Sequence, residues 1–415
     1  MKIHAMSPSQ PNQPVATPCV WLHVSSLMRW QRAAVGVVRV ECEYARWLLS
    51  QADQAFAFCE FSSERGQFVQ VPADAVARQV AAIPAGQGGA QVDSGATNTP
   101  AIFSPGDRFI SLGLDWDTLD HRVLWQHRQA GLHITLICYD LIPVLYPQWF
   151  AGVHTRDKFS AYLADLCWCA DQVLCISEHT QQDLLRTLPH TGVVVPPTRV
   201  VRLGCEVPRT AAAHPPARLT QGDDPRPFVL FVSTIERRKN HELLYRAWAR
   251  LREHGQGDGF VPHRLVFAGM PGWGVTDLLQ DIALDPRTQA DIVMLNHVSD
   301  ADLAWLYQHC AFTVFPSLYE GWGLPVAESL AHGKFCLCSN AASLPEVGGQ
   351  WCEYLDPWDL PAWVDRLGHW MRHPQALQER NQHIAQQYRP TPWAHAAQQI
   401  HAAVLSAHRR DTCRP

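Results

Sequence analysis

The chain has 415 residues, of which 18% are charged and 47% hydrophobic, and carries a net charge of −5. That length exceeds a single compact core and suits two domains, and the acidic balance argues against a dedicated nucleic-acid binder. No apolar run reaches the roughly 18 residues of a membrane span. Residues 1–18 are polar and proline-rich and lack the apolar core of a signal peptide, so the expectation is a cytoplasmic protein whose 13 cysteines are reduced.

Strand-like and helix-like segments alternate along nearly the whole chain, the signature of parallel sheets joined by crossover helices. In the first half the patterning predicts strands over 20–25, 55–61, 108–112, 133–138, 172–176 and 199–203, and helices over 37–51, 119–130, 156–169 and 181–188. Between them, 81–105 is rich in Gly, Ala, Gln, Ser and Asn and reads as a mobile surface loop. Five prolines and an Asp-Asp pair over 208–227 mark an interdomain linker. Strands are then predicted over 228–232, 264–268, 292–295, 312–315 and 335–339, before the chain turns helical from about 359 to 407. The expected architecture is α/β, with two Rossmann-like doubly wound domains facing each other across a cleft. The segments are a flexible 1–18, a first domain over 19–207, the linker, a second domain over 228–388, and a C-terminal helix within 389–415 that returns to the first domain. In such sheets ligands sit outside the carboxyl ends of the strands.

The segment after the predicted strand 312–315 carries the strongest chemical signal. Glu320 and Glu328 flank Gly321-Trp322-Gly323-Leu324-Pro325, a glycine turn that opens a helix ending near Gly333. A glycine turn at a helix N-terminus lets backbone N–H groups meet an anion, and carboxylates beside it accept from hydroxyls. Phosphate and polyol together describe a nucleotide sugar. The competing reading is an ordinary turn whose acids cap the helix and face water.

A second constellation follows the apolar strand 228–232. Ser233-Thr234-Ile235-Glu236-Arg237-Arg238-Lys239-Asn240 places three cations before a helix that Asn240 can cap. The positive end of a helix does not stabilise cations, so their placement suggests a bound anion; a solvated basic turn is the alternative. Asp115-Trp116-Asp117 has the spacing of a metal-binding Asp-x-Asp pair, but its position at the start of a helix favours capping, and no metal is expected. Cys336 and Cys338 read as small core residues sharing a buried strand face. Met28-Arg29-Trp30-Gln31-Arg32 interleaves cations with an aromatic residue and offers a contact for an anionic surface, against the alternative of a solvated loop.

These motifs resemble those of retaining glycosyltransferases of family 4, which have the GT-B fold. The likeness runs from about 19 to 408 and is strongest over 228–349. It implies that Glu320 lies against the donor sugar, Glu328 binds the ribose, and Arg238 and Lys239 stabilise the departing diphosphate. Gly321, Trp322, Gly323, Leu324, Ser233, Gly269, Val298, Ser299 and Gly36 are implied to line the donor site, and Cys138-Tyr139-Asp140 to face the sugar or acceptor. Tyr139 stands where many members carry a histidine. The resemblance further implies a metal-independent hexosyltransferase without cofactor, following a front-face route. GDP-mannose is the favoured donor and a saccharide the acceptor, lipid-linked at the inner membrane in surface polysaccharide synthesis. A UDP- or dTDP-sugar with a soluble or protein acceptor is the alternative, as is a non-catalytic nucleotide-sugar-binding scaffold.

Overall fold

The computed structural model describes residues 18–31, 36–83, 99–150, 155–206, 216, 219, 224–255, 260 and 262–408. Two sheets organise them. The first comprises β1 (Val20–His23), β2 (Phe56–Ser62), β3 (Gln67–Val71), β4 (Arg108–Ser111), β5 (His133–Cys138), β6 (Gln172–Cys175) and β7 (Thr198–Val200), in the order β3-β2-β1-β4-β5-β6-β7. The second comprises β8 (Phe228–Val232), β9 (Arg264–Ala268), β10 (Ile292–Leu295), β11 (Phe312–Phe315), β12 (Cys336–Ser339) and β13 (Glu353–Leu355), in the order β10-β9-β8-β11-β12-β13. All pairings are parallel except β2 with β3. The order reverses between β1 and β4 and between β8 and β11, and these reversals are where an open parallel sheet leaves a crevice.

The continuous apolar runs explain the central strands. Phe-Val-Leu-Phe-Val in β8 and Phe-Thr-Val-Phe in β11 are covered by helices on both faces, so every position must be apolar or internally bonded. Thr313 satisfies this by bonding Ser329 at 2.6 Å. Cys336 and Cys338 are both buried in the core of the second sheet. The final helix, Trp393–Ser406, packs on the helix Gly36–Leu49 of the first domain. Tyr44 bonds His401 at 3.0 Å, and Arg108 donates to the carbonyls of Val404 and Ala407 at the helix end. Among the described residues no helix is long and apolar enough to cross a membrane.

Several expectations are corrected. The antiparallel edge strand β3 and the helix Ala73–Ala82 were not predicted. Within 81–105, expected as a mobile surface loop, Ala101 is buried and Phe103 packs edge-on against Trp21, Phe68 and Phe109, while 84–98 lie outside the described residues. Strand β1 stops at His23 and the chain turns into a short helix, Ser25–Arg29. Trp30 packs on the first-domain core, which takes the aromatic of the expected surface contact inward; Arg32 lies outside the described residues. Of the expected linker, Leu219 is buried against the second sheet, and Arg226 reaches Asp291.

The first domain is cross-braced by a buried ion pair. Arg128 donates to Asp171 Oδ1 from Nε at 3.0 Å and from Nη2 at 2.7 Å, while Ile134 N donates to Oδ2 at 3.0 Å. Both side chains are fully buried, so removing one leaves the other charge stranded. Asp171→Ala is expected to lower the unfolding free energy by about 3–5 kcal/mol, read by chemical denaturation.

Candidate active site

The site lies on the two loops that leave β8 and β11, neighbouring strands at the second switch point. The β8 loop closes in a tight 3-10 turn, Arg237–Lys239, and Asn240 follows with a left-handed backbone, φ 61°. Asparagine tolerates that conformation better than most residues. Its side-chain amide, expected to cap the next helix, instead donates to the carbonyls of Pro316 at 3.2 Å and Pro357 at 2.9 Å. Leu318 N donates to the Arg238 carbonyl at 2.8 Å. The two loops are therefore bonded to one another by backbone as well as by charge.

That charge centres on Glu320. Arg238 Nη1 lies 2.8 Å from its Oε2 and Lys239 Nζ 2.6 Å from its Oε1, and Ser317 Oγ also donates to Oε1. Burial by itself would raise the Glu320 carboxyl; Arg238 first, then Lys239 and the Lys239 and Ser317 hydrogen bonds, reverse this and hold it at about 2. Lys239 is lowered by its own burial and by Arg238, against the pull of the carboxylate it shares. The anion that the three cations called for is, in this structure, the protein's own. Arg237 stands apart and donates to the Gly274 carbonyl.

Asp140, from the end of β5 in the first domain, completes the cluster from across the cleft. Its carboxyl is raised by burial, opposed by the nearby Arg238. Glu236 lies 3.8 Å from Arg238 and is likewise raised by burial. The Tyr139 hydroxyl donates to the Leu112 carbonyl at 2.6 Å and its ring packs on the first-domain core. What it offers the cleft is its carbonyl, and a Cβ on Gly321 would fall 2.2 Å from that oxygen. Only glycine allows the Glu320 loop so close to the first domain.

Gly323, at φ 116°, starts the helix Leu324–Ala331, which brings Glu328 to the same side as Tyr307 and Arg39. Tyr307 donates to Glu328 Oε2 at 2.9 Å, and burial raises the Glu328 carboxyl despite Tyr307 and Arg39. Arg39, on the first-domain helix that Gly36 opens at φ 53°, lies 3.8 Å from Asp300. Leu324 and Trp322 both pack on the first-domain core, and the buried Trp322 Nε1 has no hydrogen-bond partner among the described residues. Gly269 lets the β9 turn approach the Ser233 carbonyl, where a Cβ would meet the oxygen at 2.0 Å. Val298 is half-buried, and Ser299 caps the helix Asp300–His309 in a reciprocal bond with Asp302, so its hydroxyl is already engaged.

The structure thus brings Glu320, Arg238, Lys239, Asp140 and Gly321 together, with Glu328 one helix turn and more along. Asp115 and Asp117 do not converge. Asp115 is buried and accepts from Ser111, whereas Asp117 pairs with Lys158 at the surface, and neither caps the helix. Sequence reasoning missed Glu236, Tyr307 and Arg39. Glu236 lies inside the basic stretch and carried a signal; the other two become visible only when remote helices are packed together.

The paired switch-point crevices and facing sheets are the GT-B fold of glycosyltransferases. Sucrose-phosphate synthase from Thermosynechococcus elongatus shares it with a TM-score of 0.59 at 16% identity, over 93% of this chain and 98% of that one. Anabaena HepE in complex with UDP-glucose does so with a TM-score of 0.60 at 14% identity, over 94% and 99%. Residues 220–384, most of them in the second domain, match the family model of glycosyl transferases group 1. In sequence the chain is similar to O-antigen chain mannosyltransferase B of Escherichia coli, 29% identical over 46% of this chain and 49% of the relative. It is 25% identical to the serotype-specific mannosyltransferase WbdA of Escherichia coli over 68% of this chain and 35% of the relative. The chain therefore aligns with about half of the first relative and a third of the second.

A carboxyl held at about 2 in the fold, against 4.5 when free, stabilises the protein above about pH 4.5 and ceases to do so as pH falls toward 2. The contribution is on the order of 3 kcal/mol. Wild type is expected to lose more stability between pH 5 and pH 3 than Glu320→Gln, as read from denaturation midpoints at the two pH values.

Proposed function

We propose that this chain is a retaining hexosyltransferase that moves a hexose from a nucleoside diphosphate sugar to a hydroxyl of a saccharide acceptor. The observation that carries the reading is the single carboxylate of Glu320 shared by Arg238 and Lys239 at the switch point, beside the N-terminus of the helix Leu324–Ala331. As the bond between the sugar C1 and the phosphate oxygen breaks, negative charge grows on the diphosphate. Fixed cations and a helix N-terminus stabilise that charge more than they stabilise the intact donor. The acceptor oxygen forms the new bond to C1 on the same face, and its proton passes to the leaving phosphate oxygen. Glu320, relieved of its cations by the diphosphate, turns to the donor-sugar hydroxyls, and Glu328 accepts from the ribose. The buried Trp322 N–H, which gains most by finding an acceptor, takes a donor oxygen.

GDP-mannose is the favoured donor, in keeping with the mannosyltransferases that the chain resembles. The acceptor is a lipid-linked glycan at the cytoplasmic face of the inner membrane, extended during surface polysaccharide assembly. A thermal-shift panel of GDP-, UDP-, dTDP- and ADP-sugars tests the donor, since affinity for the native state raises the melting point; a larger shift with GDP-mannose is expected. A protein that binds a nucleotide sugar and releases no nucleoside diphosphate over hours is a scaffold, and that result overturns the reading.

Lys239→Ala and Glu320→Ala are expected to reduce turnover by about 100-fold or more, while Asp117→Ala, at the surface, leaves it unchanged. Glu328→Ala is expected to raise donor KM about tenfold with a smaller effect on kcat. Trp322→Phe removes the N–H together with the five-membered ring that carries it; donor binding should weaken by about 1–3 kcal/mol, measured by titration calorimetry.

A further inference from the structure

One helix of the first domain, Glu178–Thr187, touches the second domain on both sides of Glu320. On the N-terminal side, the Tyr319 hydroxyl donates to Asp183 Oδ2 at 2.6 Å and stands 2.7 Å from His179 Nε2. The hydroxyl has one proton, which Asp183 receives, so His179 donates from Nε2. The Tyr319 ring also lies 4.8 Å from that of Tyr146, in the first domain. On the C-terminal side, Thr180 Oγ1 lies 3.3 Å from both the Gly321 carbonyl and the Tyr139 carbonyl. The N-terminus of the same helix is capped from the opposite domain: the Glu346 carboxylate accepts from Glu178 N at 3.0 Å and from His179 N at 3.4 Å. A cap of this kind combines hydrogen bonds with the helix dipole.

The backbone that carries Glu320 therefore has two supports. From within the second domain, Arg238 Nη1 donates to the Tyr319 carbonyl at 2.7 Å and Ser343 Oγ lies 2.9 Å from the Glu320 carbonyl and 2.8 Å from that of Trp322, while the first domain holds the Tyr319 side chain and the Gly321 carbonyl. The aromatic ring packs beside those of Tyr146 and His179. The hydroxyl is fixed between His179 and Asp183.

We propose that Tyr319 is a positioning residue, by which the helix Glu178–Thr187 sets the segment carrying Glu320, so that this carboxylate takes its working place only when the two domains are closed. The inference rests on the glycosyl-transfer reading for its consequence and on the interdomain bonds for its geometry. It gives closure a chemical effect: a donor bound to the second domain alone meets a Glu320 segment without its contacts to Asp183, His179 and Thr180, which disfavours loss of the sugar to water before an acceptor site is assembled.

Three variants test it: Tyr319→Phe, which keeps the ring, Asp183→Ala, and Asp183→Asn, which keeps an acceptor oxygen. A misplacement of about 1 Å in such a group costs about 100-fold in rate. Tyr319→Phe and Asp183→Ala are expected to lower kcat about 10- to 100-fold with donor KM within about threefold, and Asp183→Asn to recover most of the loss. Turnover of Tyr319→Phe and Asp183→Ala within about twofold of wild type, or a loss confined to donor KM, overturns the proposal while leaving glycosyl transfer intact. If wild type shows no turnover with any nucleotide sugar, it is the functional reading that fails. Amide hydrogen exchange over 317–323 then decides the inference without chemistry. Faster exchange in Asp183→Ala than in wild type supports it, and equal exchange overturns it.

Discussion

The rest of the site depends on one carboxylate serving two buried cations. Arg238 and Lys239 come from a turn that a helix N-terminus would ordinarily repel, and Glu320 comes from a loop 80 residues later. Neither loop has a reason to hold its shape alone. Brought together, they neutralise charges whose separate burial would each cost several kcal/mol, and their backbones bond as well, through Leu318 N to the Arg238 carbonyl. The same arrangement makes the site ready for an exchange of anions. In the proposed function, a diphosphate that takes the two cations frees the carboxylate for hydroxyl groups, so the pairing seen here and that task would use the same atoms in different partnerships.

The interdomain face follows from that pairing. Since the Glu320 loop must approach the first domain, its two flanking residues are specialised: Gly321 for backbone contact with Tyr139, Tyr319 for a hydroxyl bond to Asp183. The helix Trp393–Ser406 fastens the far end of the chain to the first domain without entering the site. The molecule is thus joined at the C-terminal helix by apolar packing and by the Tyr44 and Arg108 hydrogen bonds, and beside Glu320 by polar bonds together with the packing of Trp322 and Leu324 on the first-domain core.

Much of this was legible in sequence, and the limits have physical causes. Strands β8, β9, β10 and β11 have the predicted bounds because fully buried parallel strands are written as uninterrupted apolar runs. Strand β3 was not seen because an antiparallel edge strand need bury only one face, and Gln67-Phe68-Val69-Gln70-Val71 is a weak alternation. Glu320, Arg238 and Lys239 could be found because each sits on a loop leaving a recognisable strand. Arg39 and Tyr307, near Glu328, project from the first turn of one helix and the last turn of another, where nothing local distinguishes a cleft residue from a solvated or packed one. Tyr139 shows the reverse case: the motif resemblance gives its position in the chain, but only the fold shows its phenol reaching the Leu112 carbonyl.

The departure at Tyr139 shifts weight onto the acids around Arg238. Asp140, Glu236 and Glu320 all face this guanidinium, and their surroundings divide them. Glu320 is held at about 2 by its two cations, whereas burial raises Asp140 and Glu236. In the proposed function the three carboxyls would differ in what they do as a diphosphate arrives: Glu320 exchanges its cations for sugar hydroxyls, while burial already disfavours the charged forms of Asp140 and Glu236 beside Arg238.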